Sequence, residues 1–425
     1  MADARFDVLI IGAGFAGAAA ASMLQRQGYR TLLLEARDRA GGRAFTRTFA
    51  ETADITDFGG SWIAPAHHRI RHHADRLGFL LRPATPVTQR RWHDGSSLRD
   101  DQPAAPSEMA EYEAGRKRII ADALSYGQTG PALSSISMTA YLHRIEASRA
   151  LRAQALAWWC ISGNGDPNVI AAGEFISSCA HGEGSPEGMM HALKHSFVLG
   201  AAELVRRIIE ASGASLLLGT EVTSIQQFRS EVLVRCASGE DFHAPAAVVA
   251  LPMNVLRHIR FAPALGRRKT EAAAIGHGGR SFKIWIKAEG PRVGTLVTGG
   301  LNGLQWAFVE REASDGNAMI VGFGLVDGKF DPSSREHVEQ GLKRFFPEAR
   351  LLASDWHDWV SDPYARGTWL AIPSGAPWIA DSAEWQPEDK LFFASADFAP
   401  ETPGWFESAI RSGEAAAKGV MALAS

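Results

Sequence analysis

The sequence predicts a mixed α/β protein: a doubly wound, Rossmann-like domain assembled from discontinuous segments, with an α+β domain inserted between them. Three observations predict it. A strand, a glycine-rich turn, a helix and a second strand follow one another within residues 6–34. A helical stretch from Pro103 to His195 then interrupts the strand signal. The signal returns between Ser215 and Gly324 and again at Leu391–Ala394, so the strands of one sheet are drawn from separated parts of the chain.

The elements are read in order. Residues 6–11, Phe-Asp-Val-Leu-Ile-Ile, form an apolar run ending at a glycine, the pattern of a parallel strand buried on both faces. The Ala-rich stretch Phe15–Gln27 reads as a helix closed by Gly28, and Thr31–Leu34 as a second buried strand. Residues 103–195 are helical but less regular, with Trp158-Trp159 in their middle. Strands are expected at Ser215–Leu218, Val222–Gln226, Val232–Cys236, Ala247–Leu251, Ser281–Lys287, Leu296–Thr298, Gln305–Glu310 and Met319–Gly324. A helix over Ser333–Phe346 is closed by Pro347, and a helix from Trp405 to Leu423 follows the last strand. This division assigns 1–82, 200–265 and 362–425 to the dinucleotide-binding domain. It assigns 83–199 and 266–361 to a substrate-binding domain.

Bulk properties narrow the function classes. The 425 residues are 46% hydrophobic and 21% charged, ordinary proportions for a globular chain of two or three domains. A formal net charge of -3 offers no basic surface to nucleic acid or anionic lipid. The three cysteines, Cys160, Cys179 and Cys236, lie far apart, which argues against a disulfide framework or a zinc knuckle. No eighteen-residue apolar run and no signal-like N-terminus occur, so a cytoplasmic protein with no membrane and no nucleic-acid partner is the default. A homo-oligomer is left open.

Gly12-Ala13-Gly14-Phe15-Ala16-Gly17 is a G-x-G-x-x-G between a strand and a helix. Gly12 permits the tight turn, Gly14 lets backbone approach a pyrophosphate, and Gly17 lets helix and strand pack closely. Phe15 and Ala16 open a helix whose free N–H groups and positive dipole end suit an anion. Glu35 ends the second strand, where a carboxylate accepts from a ribose 2′-OH. The sequel Glu35-Ala36-Arg37-Asp38-Arg39-Ala40-Gly41-Gly42-Arg43 favours FAD over NAD: a second Gly-Gly turn flanked by arginines suits a second phosphate or the isoalloxazine side.

This run resembles the signature of the flavin-containing amine oxidases, the family of monoamine oxidases, polyamine oxidases and many L-amino-acid oxidases. Asp57-Phe58-Gly59-Gly60-Ser61-Trp62-Ile63-Ala64-Pro65 looks like the family's next glycine pair, with Arg69-Ile70 and Leu77-Gly78 following. Gly200–Leu204, Glu221–Ile225, Val248–Pro252, Phe393–Asp397 and Gly404–Ala409 continue the likeness in the family's order, while 103–195 does not align. The resemblance implies FAD contacts from Gly12, Gly14, Phe15, Ala16, Gly17, Glu35, Ala36, Arg37, Gly42, Arg43, Gly59, Gly60, Ser61, Trp62, Val222, Pro252, Ala396, Asp397, Trp405 and Phe406. Where the family usually has Gly-Thr-Glu, this chain has Ser395-Ala396-Asp397. Asp397 keeps an acceptor for the flavin's hydroxyls on a shorter side chain, and weaker FAD binding is expected.

At the reacting end, the resemblance places a lysine beside flavin N5, bridged to it by water, and Lys283 in Ser281-Phe282-Lys283-Ile284-Trp285-Ile286-Lys287 matches it. Period-2 alternation puts Ser281, Lys283, Trp285 and Lys287 on one face. A lysine inside an apolar strand is costly to bury unpartnered, whereas Lys287 reads as solvated. Trp369 and Trp405 match the two aromatic positions that cage the substrate nitrogen in the family. Facing indoles make an apolar slot for a neutral amine. Thr368 stands where the mitochondrial monoamine oxidases tether their flavin to cysteine, so non-covalent FAD is expected.

Histidine pairs His67-His68 with His72-His73, and His191 with His195, have helical spacing; without cysteines or paired acids they read as solvated helix faces, and no metal is expected. The implied activity is oxidation of a small primary or secondary monoamine to an imine, which hydrolyses, with electrons passing to O2 (giving H2O2) or to another acceptor. Alternatives are an L-amino-acid oxidase, with Arg90 or Arg91 clamping the carboxylate, a flavin desaturase or isomerase, and a non-catalytic flavoprotein.

Overall fold

The computed structural model describes residues 6–50, 52–399 and 403–423. Its central layer is a five-stranded parallel sheet in the order Ser215–Leu217, Thr31–Leu34, Val8–Ile11, Ala246–Val249 and Leu391–Phe393. The apolar run at the start of the chain is needed because both faces of this sheet are covered. Val8 and Ile10 point to a layer of three helices, Phe15–Arg26, Ala201–Ser212 and Phe406–Leu423. Leu9 and Ile11 point the opposite way, onto Val222, Ile225, Val232 and Val234 of a second, four-stranded sheet. From Val8–Ile11 the order runs outward to Thr31–Leu34 on one side and to Ala246–Val249 on the other. That reversal opens a crevice at the strand's C-terminal end, where Gly12–Gly14 lies.

A seven-stranded sheet makes the second body of the molecule, in the order Arg350–Trp356, Ser281–Glu289, Ala318–Leu325, Trp306–Glu312, Thr295–Gly299, Gln89–His93 and Leu98–Arg99. Phe282, Ile284 and Ile286 face Val338, Leu342 and Phe345 of the helix Arg335–Phe345. On the other face, Trp285, Phe323 and Val321 join Trp158, Trp159 and Tyr141 of the helical stretch. Lys283 and Trp285 therefore point away from the covering helix, toward the rest of the molecule.

Most expected elements are observed within a residue or two. Of the seven-stranded sheet, the sequence reading missed the strands Gln89–His93, Leu98–Arg99 and Arg350–Trp356. Each carries arginine, and Gln89–His93 has one fully buried residue. The strand His195–Phe197, which begins at the last residue of the stretch read as helical, pairs with Trp62–Ile63 and Leu81–Pro83. Among the described residues, no helix is long and apolar enough to cross a membrane.

Candidate active site

A cavity of about 1150 Å³ runs from the crevice of the parallel sheet to the seven-stranded sheet and the helices. At one end lie Gly12, Gly14, Phe15, Ala16, Glu35, Ala36, Arg37, Gly42 and Arg43, joined by Val222 and Pro252. Gly59, Gly60, Ser61, Trp62, Lys283, Trp369, Ala396, Trp405 and Phe406 also border it. Of the expected FAD contacts together with Lys283, Trp369 and Trp405, only Gly17 and Asp397 do not line this cavity.

The three glycines of the first turn are required for different reasons. Gly12 has φ +103°, and a Cβ there would sit 2.5 Å from the Ala250 carbonyl oxygen. A Cβ on Gly17 would fall 2.0 Å from the Gly12 oxygen, so Gly17 is the contact between helix and strand and not a wall of the cavity. Gly14 is unlike both: φ is -82°, and a Cβ would meet nothing closer than 3.8 Å. Neither backbone nor packing demands glycine there, and the space a side chain would take belongs to the cavity. That is the fit expected of a pyrophosphate cradle. Glu35 is held by the Ala13 and Arg37 N–H groups at 2.9 and 3.0 Å. Arg37 is paired with Asp362 at 2.6 Å and stacks on Tyr364.

Asp397 departs from expectation. Its carboxylate is fully buried and turned away from the cavity, accepting from Arg43 at 2.7 Å and from the Met253 N–H at 2.9 Å. The short side chain reaches these donors and no further, so Asp397 positions Arg43. Arg43 in turn donates to the Thr368 carbonyl at 2.8 Å. Burial would raise the Asp397 carboxyl, but Arg43, His277 and the Met253 N–H hold it below the usual range.

At the other end, Lys283 is buried, and its Nζ donates to the carbonyls of Asp57 and Gly59 at 2.9 and 3.0 Å and to the Ser61 hydroxyl. Three acceptors match the three donors of an ammonium. Burial nonetheless pushes the group down to about 8, against the pull of Asp57 and Glu310, so the ammonium still predominates at neutral pH and the neutral amine becomes the equal form only near pH 8. Asp57 is itself pushed up to about 6 by burial, although Thr46, Lys283 and the Ala201 N–H favour its anion. Lys287 lies farther along the same face, half-buried and paired with Asp315 at 2.9 Å.

Trp369 and Trp405 issue from adjoining backbone: a Cβ on Gly404 would lie 3.9 Å from the Trp369 Cβ. Each indole rests on a different ring, Trp369 edge-on to Phe323 at 6.2 Å and Trp405 against His67 at 5.1 Å. Asn164, missed by the sequence reading, connects the tryptophan segment to the Lys283 strand. Its amide donates to the Trp369 carbonyl at 2.6 Å and accepts from Thr368 Oγ1 and the Ser281 N–H. Only the Gly-Asn-Gly turn around it hinted at a special position, since Asn164 takes φ +58°.

A match to one family model decides the family: the description "Flavin containing amine oxidoreductase" covers residues 15–421. The chain belongs to this family. Its cofactor is FAD and its reaction class is amine oxidation. The chain is 30% identical to (S)-6-hydroxynicotine oxidase of Paenarthrobacter nicotinovorans, over 98% of this chain and 99% of that one. It is 24% identical to the flavin-containing amine oxidase B of Homo sapiens, over 98% of this chain and 86% of that one. Among solved structures, a triple mutant of putrescine oxidase superposes with a TM-score of 0.87 at 21% identity, covering 98% of this chain and 99% of that one. Cyclohexylamine oxidase from Brevibacterium oxydans gives 0.81 at 22% identity with the same coverage.

Two expectations are corrected within this family frame. His67 and His73 are buried, not solvated, and desolvation pushes both down to about 4. His191 lies in a 3-10 turn and His195 in a strand, so they share no helix face. Among the described residues, no group of three His, Cys, Asp or Glu is placed to hold a metal ion. Arg90 and Arg91 do not border the cavity, and Arg91 is spent on Asp100 and Glu348.

Proposed function

We propose that this amine oxidoreductase oxidises a small primary or secondary monoamine, bound with its nitrogen between Trp369 and Trp405 and its reacting carbon toward Lys283. One observation carries the reading: a buried lysine of lowered basicity and two indoles from adjoining backbone border a single cavity with the glycine turn. FAD, when bound, supplies the redox step, accepting the electrons of the amine's carbon–hydrogen bond and passing them to O2 or another acceptor. The indole slot binds the uncharged amine and orients it. Lys283 exchanges a proton at Nζ with the cavity, and Ser61 holds that nitrogen in place. The imine product is hydrolysed to a carbonyl compound.

The FAD is held without a covalent bond in this reading. Thr368 gives its hydroxyl to Asn164, and none of the three cysteines borders the cavity. An amino-acid oxidase is disfavoured because the arginines that would have clamped a carboxylate face elsewhere. The test is anaerobic flavin reduction by monoamines and L-amino acids in the wild type, Trp369→Ala and Trp405→Ala. Monoamines should reduce the flavin fastest, and each substitution should slow reduction more than it weakens binding, because orientation is lost before contact area is. An amino acid as the fastest reductant, with either tryptophan dispensable, would remove the reading.

A further inference from the structure

We propose that Glu174 forms a second binding point in the same cavity, taking a hydrogen-bond donor (an ammonium or a hydroxyl) at the end of the amine substrate opposite the oxidised nitrogen. The proposal rests on the cage reading and extends its substrate from a plain monoamine to an amino alcohol or a diamine.

Glu174 stands in the first turn of the helix Ala172–His181, in the stretch that the sequence reading left unaligned. Its side chain is half-buried and borders the cavity. The Ile372 N–H is the donor that reaches it, and among the described residues no lysine, arginine or histidine is paired with it. A carboxyl group in a cavity wall with one backbone donor keeps most of its acceptor capacity free. Burial raises it to about 8, the mark of a carboxyl lacking a counter-charge.

The neighbours make this a polar end and not an isolated defect. Tyr126 hydrogen-bonds with Ser134 and Ser177, and all three line the cavity with Ser178 and His181. Burial and the nearby Glu174 carboxyl both raise Tyr126, as expected beside an acid with no cation set against it. The wall also includes the apolar Ile161, Leu370 and Ile372. The Ala171 N–H donates to the Ile372 carbonyl at 2.9 Å, fixing Glu174's helix to the segment that carries Trp369. Ile372 is three residues beyond Trp369, at most about 11 Å of chain, a span that one small substrate can bridge.

The experiment compares an unbranched alkylamine with the amino alcohol and the diamine of equal length, across several lengths, as ligands of the holoenzyme. Binding constants are read from anaerobic flavin bleaching in the wild type, Glu174→Gln and Glu174→Leu, with flavin content as the check that each variant folds. In the wild type the diamine and the amino alcohol should bind about tenfold or more tighter than the alkylamine at one preferred length, the scale of a hydrogen bond to a charged partner. Glu174→Gln should erase the diamine's advantage and keep part of the amino alcohol's, and Glu174→Leu should erase both. Relative to the alkylamine, the diamine's advantage should grow as pH rises toward about 8, because below that value the incoming cation must displace a proton from Glu174. Alkylamine bleaching the flavin with no preference for either bifunctional ligand would overturn the Glu174 site and leave the oxidase reading standing. Failure of every amine to bleach it would overturn both.

Discussion

Replacing Gly14 by alanine separates what the fold needs from what the cofactor needs. At Gly14 the backbone angles suit any residue, and a Cβ meets its nearest neighbour, the Gly41 oxygen, at 3.8 Å. Alanine is a poorer N-cap than glycine but restricts the unfolded chain, so the two effects roughly cancel and the apoprotein should change by no more than about 0.5 kcal/mol. The same methyl enters the space of the phosphate cradle and pushes an anion away from the helix N–H groups. Losing one or two charge-assisted hydrogen bonds costs about 1.5–3 kcal/mol, or roughly ten- to hundredfold in FAD affinity. Gly17→Ala supplies the contrast: its Cβ would lie 2.0 Å from the Gly12 oxygen, so helix and strand must part. Overpacking of that kind should cost about 3 kcal/mol or more before any cofactor is added. The assays are urea unfolding of the apoproteins and titration with FAD followed by flavin fluorescence. Wild-type FAD affinity in Gly14→Ala, or destabilisation equal to that of Gly17→Ala, would refute the cradle.

Three further outcomes are expected. Lys283→Met should slow flavin reduction or reoxidation by at least about tenfold and abolish a rise in rate as pH increases through about 8, with Lys287→Met as the near-normal control; a stopped-flow pH profile unchanged in Lys283→Met would make the lysine structural. Asp397→Ala leaves Arg43 and the Met253 N–H without their acceptor and should lose about 2–3 kcal/mol of stability at neutral pH. Because the folded carboxyl titrates below its unfolded value, that contribution is present above about pH 4 and fades in acid, so wild-type and variant unfolding curves should converge there. Acid precipitation should leave a colourless pellet and a yellow supernatant, whereas flavin that stays with the polypeptide would reveal a covalent link.

Much of the nucleotide-binding half was legible because its signals are local. The apolar strand, the spaced glycines and Glu35 lie within thirty residues of one another, and each has a backbone reason that can be read without a partner. Lys283 was legible for a related reason, as a charge in a strand otherwise buried on both faces. What the sequence could not disclose depends on partners far along the chain. Asp397 is turned inward by Arg43, 354 positions away, and Asn164 acts through Thr368 and Trp369, more than two hundred positions on. Glu174 looked like one more acid on an irregular helix, and only the tertiary fold shows that its first turn opens on the cavity. His67 and His73 were misjudged because helical spacing says nothing of which face a neighbouring helix covers.

The order of strands in the parallel sheet has a consequence for assembly. Val8–Ile11 is made first, but its neighbours on one side are Ala246–Val249 and then Leu391–Phe393. Phe406, whose ring lies 4.8 Å from that of Phe15, closes the wall beside the glycine turn. A nascent chain on the ribosome can form the first strand, turn and helix early, yet the crevice stays unfinished until the last strand and helix emerge. Closing contacts across such separations is slow. The glycine turn alone is therefore half a binding site, and a chain lacking Leu391–Phe393 and Phe406–Leu423 would present an open crevice in place of a closed wall.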